Sequence, residues 1–355
     1  MRYARAATAL DYRMPVPLLL VAPGLLEQPA HALAEARSMA ALAALAPPPR
    51  VEVNGIFAAL VTALGGSSGT PIAPLMAEGA GLDAAGSYVI AADPVLLAAD
   101  RGDIVLVQRI ADLHEAEASA LVQLLDAHFV DDDAQFIAPR PDAWFVRCTR
   151  APDIATTPID VVQGHGIYAF LPRGPEGRTW TRRQNEIQML LHEHPVNVAR
   201  EARGEPPVTG VWFWGGGTAA EARGFRSIAA HARIDRTGDL LRGIARVAHG
   251  SHEVVTDDRS VEQVIQRASA SADDGPLVVI APGAIDSEGA IRQFESRWLA
   301  PAIALLSKHA IARLDVIADG NRAAAHWSAS ASSWWRRFTP RLRPKPFVAP
   351  ARPQT

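Results

Sequence analysis

Cysteine is almost absent from this chain: Cys148 is the only one in 355 residues. A lone cysteine excludes an intrachain disulfide and any cysteine-rich zinc centre, and it fits a reducing compartment. Long apolar runs are missing too. No stretch approaches the ~20 uninterrupted apolar residues of a membrane span, so no membrane partner is expected. Neither sign of charge dominates. The formal net charge is −3 and the pI is near 6.4, which gives no global pull toward nucleic acid or lipid. No internal repeat is visible. What is present is an ordinary globular composition, 48% hydrophobic and 21% charged. The length suits two domains, or one large domain carrying an insertion.

The N-terminal region has the outline of a signal peptide: Arg2 and Arg5 precede the apolar run 18–22, and AHALA follows. Asp11 and Arg13 lie before the run, however, and Pro15, Pro17 and Pro23 bracket it. A short buried strand ending at Gly24 is the preferred reading, and a cytoplasmic protein is expected.

Short apolar runs recur, each closed by a turn residue: VPLLLVAPG (16–24), VTGVWFWGGG (208–217), PLVVIAPG (276–283) and ARLDVIADG (312–320). Continuous rather than alternating apolarity predicts strands covered on both faces, as in a parallel sheet. Helical patterns lie between them. An Ala-rich segment spans 30–45. Asp239 is positioned to cap LLRGIARVAHG, where Leu240, Ile244 and Val247 share a face. Asp286 precedes a long helix carrying Ile291, Phe294, Trp298 and Ile303. This alternation predicts an α/β fold with a mostly parallel sheet.

The middle differs. Strand-like pieces at 88–90 and 104–107 surround the amphipathic helix LHEAEASALVQLLDAHF, with Leu113, Leu121, Leu124 and Phe129 toward a core. The pattern predicts a discontinuous α/β domain over 14–70 and 205–338, and an inserted α+β domain over 71–204. A basic, Pro-rich tail over 339–355 is expected to be disordered.

One segment, HEHPVNVAREARGEPPVTGVWFWGGG (192–217), carries more than core-building requires. Pro195 disfavours helix at His194 and removes a backbone donor, so the preceding helix must kink or end there. Asn197 can restart it as a cap. Asn197, Arg200 and Arg203 are three apart and lie near one face. Two guanidiniums and a carboxamide on one stripe can hold a phosphate or carboxylate. The simpler reading pairs Arg200 and Arg203 with Glu193 or Glu201 on a solvated helix. Gly215, Gly216 and Gly217 allow positive φ or close backbone approach at a strand end. Neither a Gly-Lys-Ser/Thr nor a G-x-G-x-x-G follows, so this is no P-loop or dinucleotide fingerprint.

The segment resembles the N/H-E-H-P-V-N…R…G-x-x-P-A-N…W/R-G-x-G signature of archaeal-type cofactor-independent phosphoglycerate mutases, with Val208-Thr209 in place of the A-N pair. It also resembles that of their proteobacterial relatives, the RpfE-type regulatory proteins. Further pieces follow in the same order: ADPVLLAADRGDIVL, HEAEASALVQLLDAHF, APRPDAWFVRC, APDIATTPID and DLLRGIARVAHG. The implied fold is alkaline phosphatase-like, a three-layer sandwich with an inserted α+β domain.

That superfamily implies two divalent metals on Asp and His ligands and a Ser or Thr nucleophile. The matching positions depart from it. Ala22-Pro23-Gly24 stands where the first metal-binding Asp-Gly turn is expected, and Gly55-Ile56 stands at the nucleophile segment. Thr62 is nearby, but inside an apolar helical pattern that reads as core. Asp286 is retained with Ala290 in a histidine's place, and Asp319 is followed by Gly320. Asp286 and Asp319 alone are too few for metal; neither a metal nor any other cofactor is expected.

The leading expectation is therefore a non-catalytic regulatory or ligand-binding protein of mutase-like ancestry. Its ligand would be a phosphorylated or carboxylate metabolite, held by His194, Asn197, Arg200, Arg203, Gly215 and Gly216. The alternative is an active phosphoryl-transfer or phosphohydrolase enzyme with relocated ligands among Asp286, Asp319, His326, His231 and Asp235, the last two read as i, i+4 on a helix. A third reading, nucleic-acid binding through Trp334, Trp335, Arg336, Arg337, Arg341, Arg343 and Lys345, is disfavoured against tryptophans that anchor the last segment.

Overall fold

A computed structural model describes residues 15–52, 54–100, 102–255, 259–270, 277–320 and 323–331. The basic tail and the Trp334–Lys345 group fall outside them. In chain order, β1 (Pro17–Ala22) leads to α1 (Ala30–Ala34), α2 (Arg37–Leu45), β2 (Arg50–Glu52), α3 (Gly55–Ala63) and α4 (Ala73–Ala80). Next come β3 (Tyr88–Asp100), β4 (Asp103–Arg109), α5 (Glu115–His128), β5 (Gln135–Arg140), β6 (Ala143–Cys148) and α6 (Ile159–Val162). The helices α7 (Gly177–Leu191) and α8 (Pro195–Ala202) precede β7 (Gly210–Thr218), β8 (Ile228–Ala232), α9 (Arg236–Val247) and β9 (Ser251–Val254). The chain continues through α10 (Val261–Ala270), β10 (Leu277–Ala281), α11 (Glu288–Phe294), α12 (Ala300–Ser307), β11 (Arg313–Gly320) and β12 (Ala323–Ser330).

Among the described residues, seven strands form one sheet in the order β2-β12-β11-β1-β10-β8-β9. Every strand runs in the same direction except β12, which pairs antiparallel with both β11 and the edge strand β2. β1 and β10, at the middle of the sheet, are apolar throughout because both faces are covered. Leu19, Val21, Val279 and Ile317 pack under α3, α4 and α9. Leu18, Leu20, Ile280 and Val316 pack under α1, α2, α11 and α12. This is the three-layer α/β sandwich expected from the sequence. A turn of π-helix over 295–299 joins α11 to α12, so Ile291, Phe294, Trp298 and Ile303 share one buried face.

The expectation that 208–217 adds a strand to the parallel sheet is corrected. β7 pairs antiparallel with β3, in a second sheet ordered β4-β3-β6-β5. Its continuous apolarity has another cause. Trp212 and Trp214 face the first sheet's core, while Val211 and Phe213 face a separate core beneath α5 and α7. An antiparallel strand covered on both sides carries the same pattern as a parallel one. The stretch through Thr218 thus belongs with the second sheet.

Helices α4 and α9 join the two sheets. A Cβ on Gly79 would overlap the Asp239 carbonyl, and one on Gly243 would overlap that of Leu75. Only glycine permits this backbone approach. Around the joint the polar groups are paired. Arg236 of α9 donates to Asp93 of β3, and Trp214 Nε1 donates to the other oxygen of Asp93 at 2.6 Å. Arg140 holds Asp239 bidentately at 2.9 and 2.8 Å, and Arg242 donates to the same carboxylate at 2.5 Å. Asp239 therefore does not cap α9; Asp235 does, accepting Gly238 N–H at 2.7 Å. Likewise Ser287, not Asp286, caps α11.

Candidate functional site

The predicted anion stripe is built, but its partners are internal. α7 ends at Leu191 and Glu193 takes φ +57°; His194 then caps α8, its Nδ1 accepting Val196 N–H at 3.2 Å. Asn197 is buried. It donates to the carbonyls of Leu191 (2.8 Å) and Val208 (2.7 Å) and accepts Val208 N–H (2.9 Å). Arg200, with a side chain 0% exposed, donates to Glu117, Asp112 and the Pro206 carbonyl. Arg203 pairs with Glu117 and Glu205. The two guanidiniums expected to face a metabolite face carboxylates of the protein, which were not the glutamates suggested by local spacing.

Gly215 and Gly216 lie elsewhere. They stand at the far end of β7 from the Val208 contact, some seven residues on, or roughly 23 Å at strand rise. Gly215 has φ +67°, and its carbonyl accepts Ile72 N–H at the start of α4. A Cβ at Gly216 would come within 2.7 Å of the Tyr88 hydroxyl. These glycines admit neighbouring protein, and the six predicted residues do not form one pocket.

The carboxyl ends of the parallel strands are where open α/β sheets bind ligands. Here Gly24, following β1, has φ +78° and donates its N–H to the Asp319 carboxylate at the end of β11. Ile285 N–H donates to the Pro23 carbonyl at 2.7 Å, which brings the neighbouring Asp286 to the same edge. Burial pushes the Asp319 carboxyl up to about 7, and the charges of Asp160 and Glu27 push the same way. The Gly24 amide opposes this only in part.

Asp160 of α6 completes the edge. Its carboxylate accepts Ile56 N–H at 2.7 Å in the first turn of α3, and a Cβ on Gly55 would overlap it. The start of a helix is an anion site, because its first amides lack intrahelical partners and the dipole is positive there. In this chain the anion is supplied from within. Burial drives the Asp160 carboxyl up to about 7 despite the backbone N–H groups that favour its ionised form, and its Oδ1 is buried with no hydrogen-bond partner among the described residues. Sequence reasoning passed over Asp160. The only available signal was the acid in TTPID, two residues after Pro158, and its partner lies 104 residues away.

The donor set does not fit two divalent metals. Ala22-Pro23-Gly24 offers no acid, Asp319 is engaged with Gly24, and among the described residues no three His, Cys, Asp or Glu side chains stand together to share an ion. The relocated candidates are dispersed. His326 Nε2 sits 3.1 Å from Asp315, not Asp319, and four residues of strand separate those acids by roughly 13 Å. His231 lies on strand β8 and Asp235 at the start of α9, so they share no helix face. Asp235 and Asp286 instead line a cleft of about 370 Å³ with Arg233, Gln293 and Trp298. Thr62, read as core, is exposed on α3.

No protein-family model matches the chain. It is 28% identical over 165 residues to the 2,3-bisphosphoglycerate-independent phosphoglycerate mutase of Methanosarcina mazei, covering 41% of each chain. It is 30% identical over 139 residues to that of Methanosarcina barkeri, covering 36% of this chain and 33% of the relative. A probable mutase of Geobacter sulfurreducens matches at 25% over 177 residues, 44% of this chain and 43% of that one. The chain is a distant homologue of these mutases. The matches span less than half the length of these curated relatives. Two solved structures align along most of the chain. One is a cofactor-independent phosphoglycerate mutase from Thermoplasma acidophilum (16% identity, 89% of this chain and 90% of that one, TM-score 0.40). The other is a Pyrococcus horikoshii protein (14%, 90% and 88%, TM-score 0.48). Among the described residues no helix is long and apolar enough to cross a membrane.

Proposed function

We propose that this protein is a non-catalytic regulatory or ligand-binding member of the mutase lineage, of the RpfE type, acting in the cytoplasm. The observation that carries the reading is the Asp160 carboxylate on the first turn of α3. In the mutase-like relatives that helix start is expected to present the nucleophile and receive a phosphoryl group. Here Gly55-Ile56 replaces the nucleophile, and a carboxylate of the chain occupies the position of the anion. The neighbouring strand ends support the same reading, since Asp319 accepts the Gly24 amide and Ala22-Pro23-Gly24 offers no second acid to share an ion with it.

The ligand proposed is a phosphorylated or carboxylate metabolite, bound without added metal. Thermal-shift screening of the purified chain against such metabolites, with and without a chelator, tests this half of the reading. Stabilisation that survives the chelator is the expected outcome; stabilisation that requires a divalent metal contradicts it.

A further inference from the structure

The face of the large sheet that looks toward α3 changes character along its length. Cross-strand partners point to the same side, and the register pairs Ile317 with His326, Asp315 with Ser328 and His326 with Arg50. Arg313, Asp315, His326, Ser328 and Arg50 therefore share the face on which Ile317 and Ala324 pack beneath α3. A sheet face under a helix is ordinarily apolar throughout. Here only the stretch around Ile317 and Ala324 is; Asp319 lies beyond it at the carboxyl end of β11, and the half toward the amino end is polar. The polar half lies beneath the end of α3 and the Arg226 loop, and encloses a cleft of about 360 Å³.

The charges inside the cleft are unequally committed. Asp315 accepts Arg313 Nε at 2.6 Å and faces His326 Nε2 at 3.1 Å. Burial would raise this carboxyl, but His326, Ser328 and Arg313 outweigh burial and hold it below the ordinary range. An ionised Asp315 is acceptor-only, so Nε2 carries its proton toward it and leaves Nδ1 as the ring's remaining polar atom. Arg50 and Arg226 make no side-chain hydrogen bond or ion pair among the described residues. The remaining acid at the rim, Glu52, accepts Asn54 N–H at 3.3 Å. Three guanidiniums thus meet two carboxylates, one of them already neutralised.

We propose that this cleft binds a small metabolite through an oxyanion, a phosphomonoester or a carboxylate, clamped by Arg50 and Arg226 with His326 beside them. Guanidinium pairs recognise both groups bidentately, and the volume suits a small ligand. The site is at the amino end of β11, opposite the strand ends where Asp160 and Asp319 lie. It rests on the ligand-binding half of the proposed function and gives that ligand a location.

Calorimetric titration of the full chain with inorganic phosphate, glycerol 3-phosphate and citrate tests it. Saturable binding of at least one probe is expected, weakened about tenfold or more by Arg50→Gln and by Arg226→Gln, the loss of one charge-assisted contact. Both side chains are exposed, so the variants should keep the wild-type unfolding midpoint. Glycerol 3-phosphate against citrate distinguishes the two sources of the oxyanion. Arg233→Gln, in the cleft at the carboxyl ends, should leave binding unchanged. Binding that ignores both substitutions, or is lost only with Arg233→Gln, overturns this location while leaving the ligand-binding reading intact. Absence of saturable binding by all three probes overturns the site.

Discussion

Asp160 Oδ2 accepts the Ile56 amide at 2.7 Å, so α6 and the first turn of α3 are held together by one carboxylate. Burial of this carboxyl, and of Asp319, sets a pH dependence that the Ile56 contact opposes only in part. The folded-state values of Asp160 and Asp319 are raised to about 7 from an ordinary 3.8. Between those values the folded chain keeps protons that the unfolded chain has released. Their contribution to stability is full below the unfolded value and is lost as pH rises through about 7. Melting temperature should therefore fall from ~pH 5 to ~pH 8, and Asp160→Asn with Asp319→Asn should flatten that fall by a few degrees. A slope unchanged in the double variant would show that other groups cause it.

The joint between the sheets depends on Asp93 and Arg236. Both are buried, and Asp93 also receives Trp214 Nε1. Asp93→Ala leaves a buried guanidinium without its counter-charge, which costs roughly 3–5 kcal/mol. Urea unfolding measures this. A loss under about 1 kcal/mol, the range of exposed pairs, would show that the pair is hydrated.

Arg200 and Arg203 should separate sharply. Arg200→Ala removes a fully buried charge from two carboxylates and is expected to cost roughly 3–5 kcal/mol. Arg203 is 42% exposed, and Arg203→Ala should cost no more than about 1 kcal/mol. Neither should alter metabolite affinity in the folded protein. A large affinity loss in Arg203→Ala at unchanged stability would restore the anion role expected from the sequence.

Gly79 and Gly243 should tolerate no side chain. Alanine at either forces α4 and α9 apart, since the added Cβ overlaps a carbonyl of the opposite helix. Overpacking of this kind costs ~1–3 kcal/mol or more. Gly81, where a Cβ meets nothing within 4 Å, supplies the contrast through its φ of +93°. Gly81→Asn should be milder than Gly81→Ala, because Asn tolerates the left-handed region better. Differential scanning calorimetry of the variants checks the order.

Local pattern made part of this structure legible. Leu18–Ala22, Leu277–Ala281 and Leu314–Ala318 read as buried strands because covering both faces leaves no polar alternation. The helix carrying Leu121 was visible from its period, although Leu125 and not Leu124 is its buried neighbour, and the Pro195 break was visible from proline's missing donor. The same apolar continuity misplaced β7, since pattern reports burial and not strand direction. The candidate site was harder to read. Asp160, Asp93 and Asp239 find their partners 104, 143 and 99 residues away, and no spacing rule reaches that far. Arg200 looked like a ligand-binding group because its carboxylates, Asp112 and Glu117, sit on another part of the chain. Departures from the mutase pattern at Ala22 and Ile56 were plain, but what fills the space they leave was not.

On the reading proposed above, Asp160 and Asp319 occupy the helix-start and strand-end positions at which the resemblance to the mutases places phosphate and metal. The most direct test equilibrates the purified chain with manganese, zinc or magnesium, removes free metal, and measures bound metal together with mutase and phosphomonoesterase activity. Substoichiometric metal and no activity above blank are the predicted result. Stoichiometric metal with metal-dependent turnover of a phosphomonoester would contradict it.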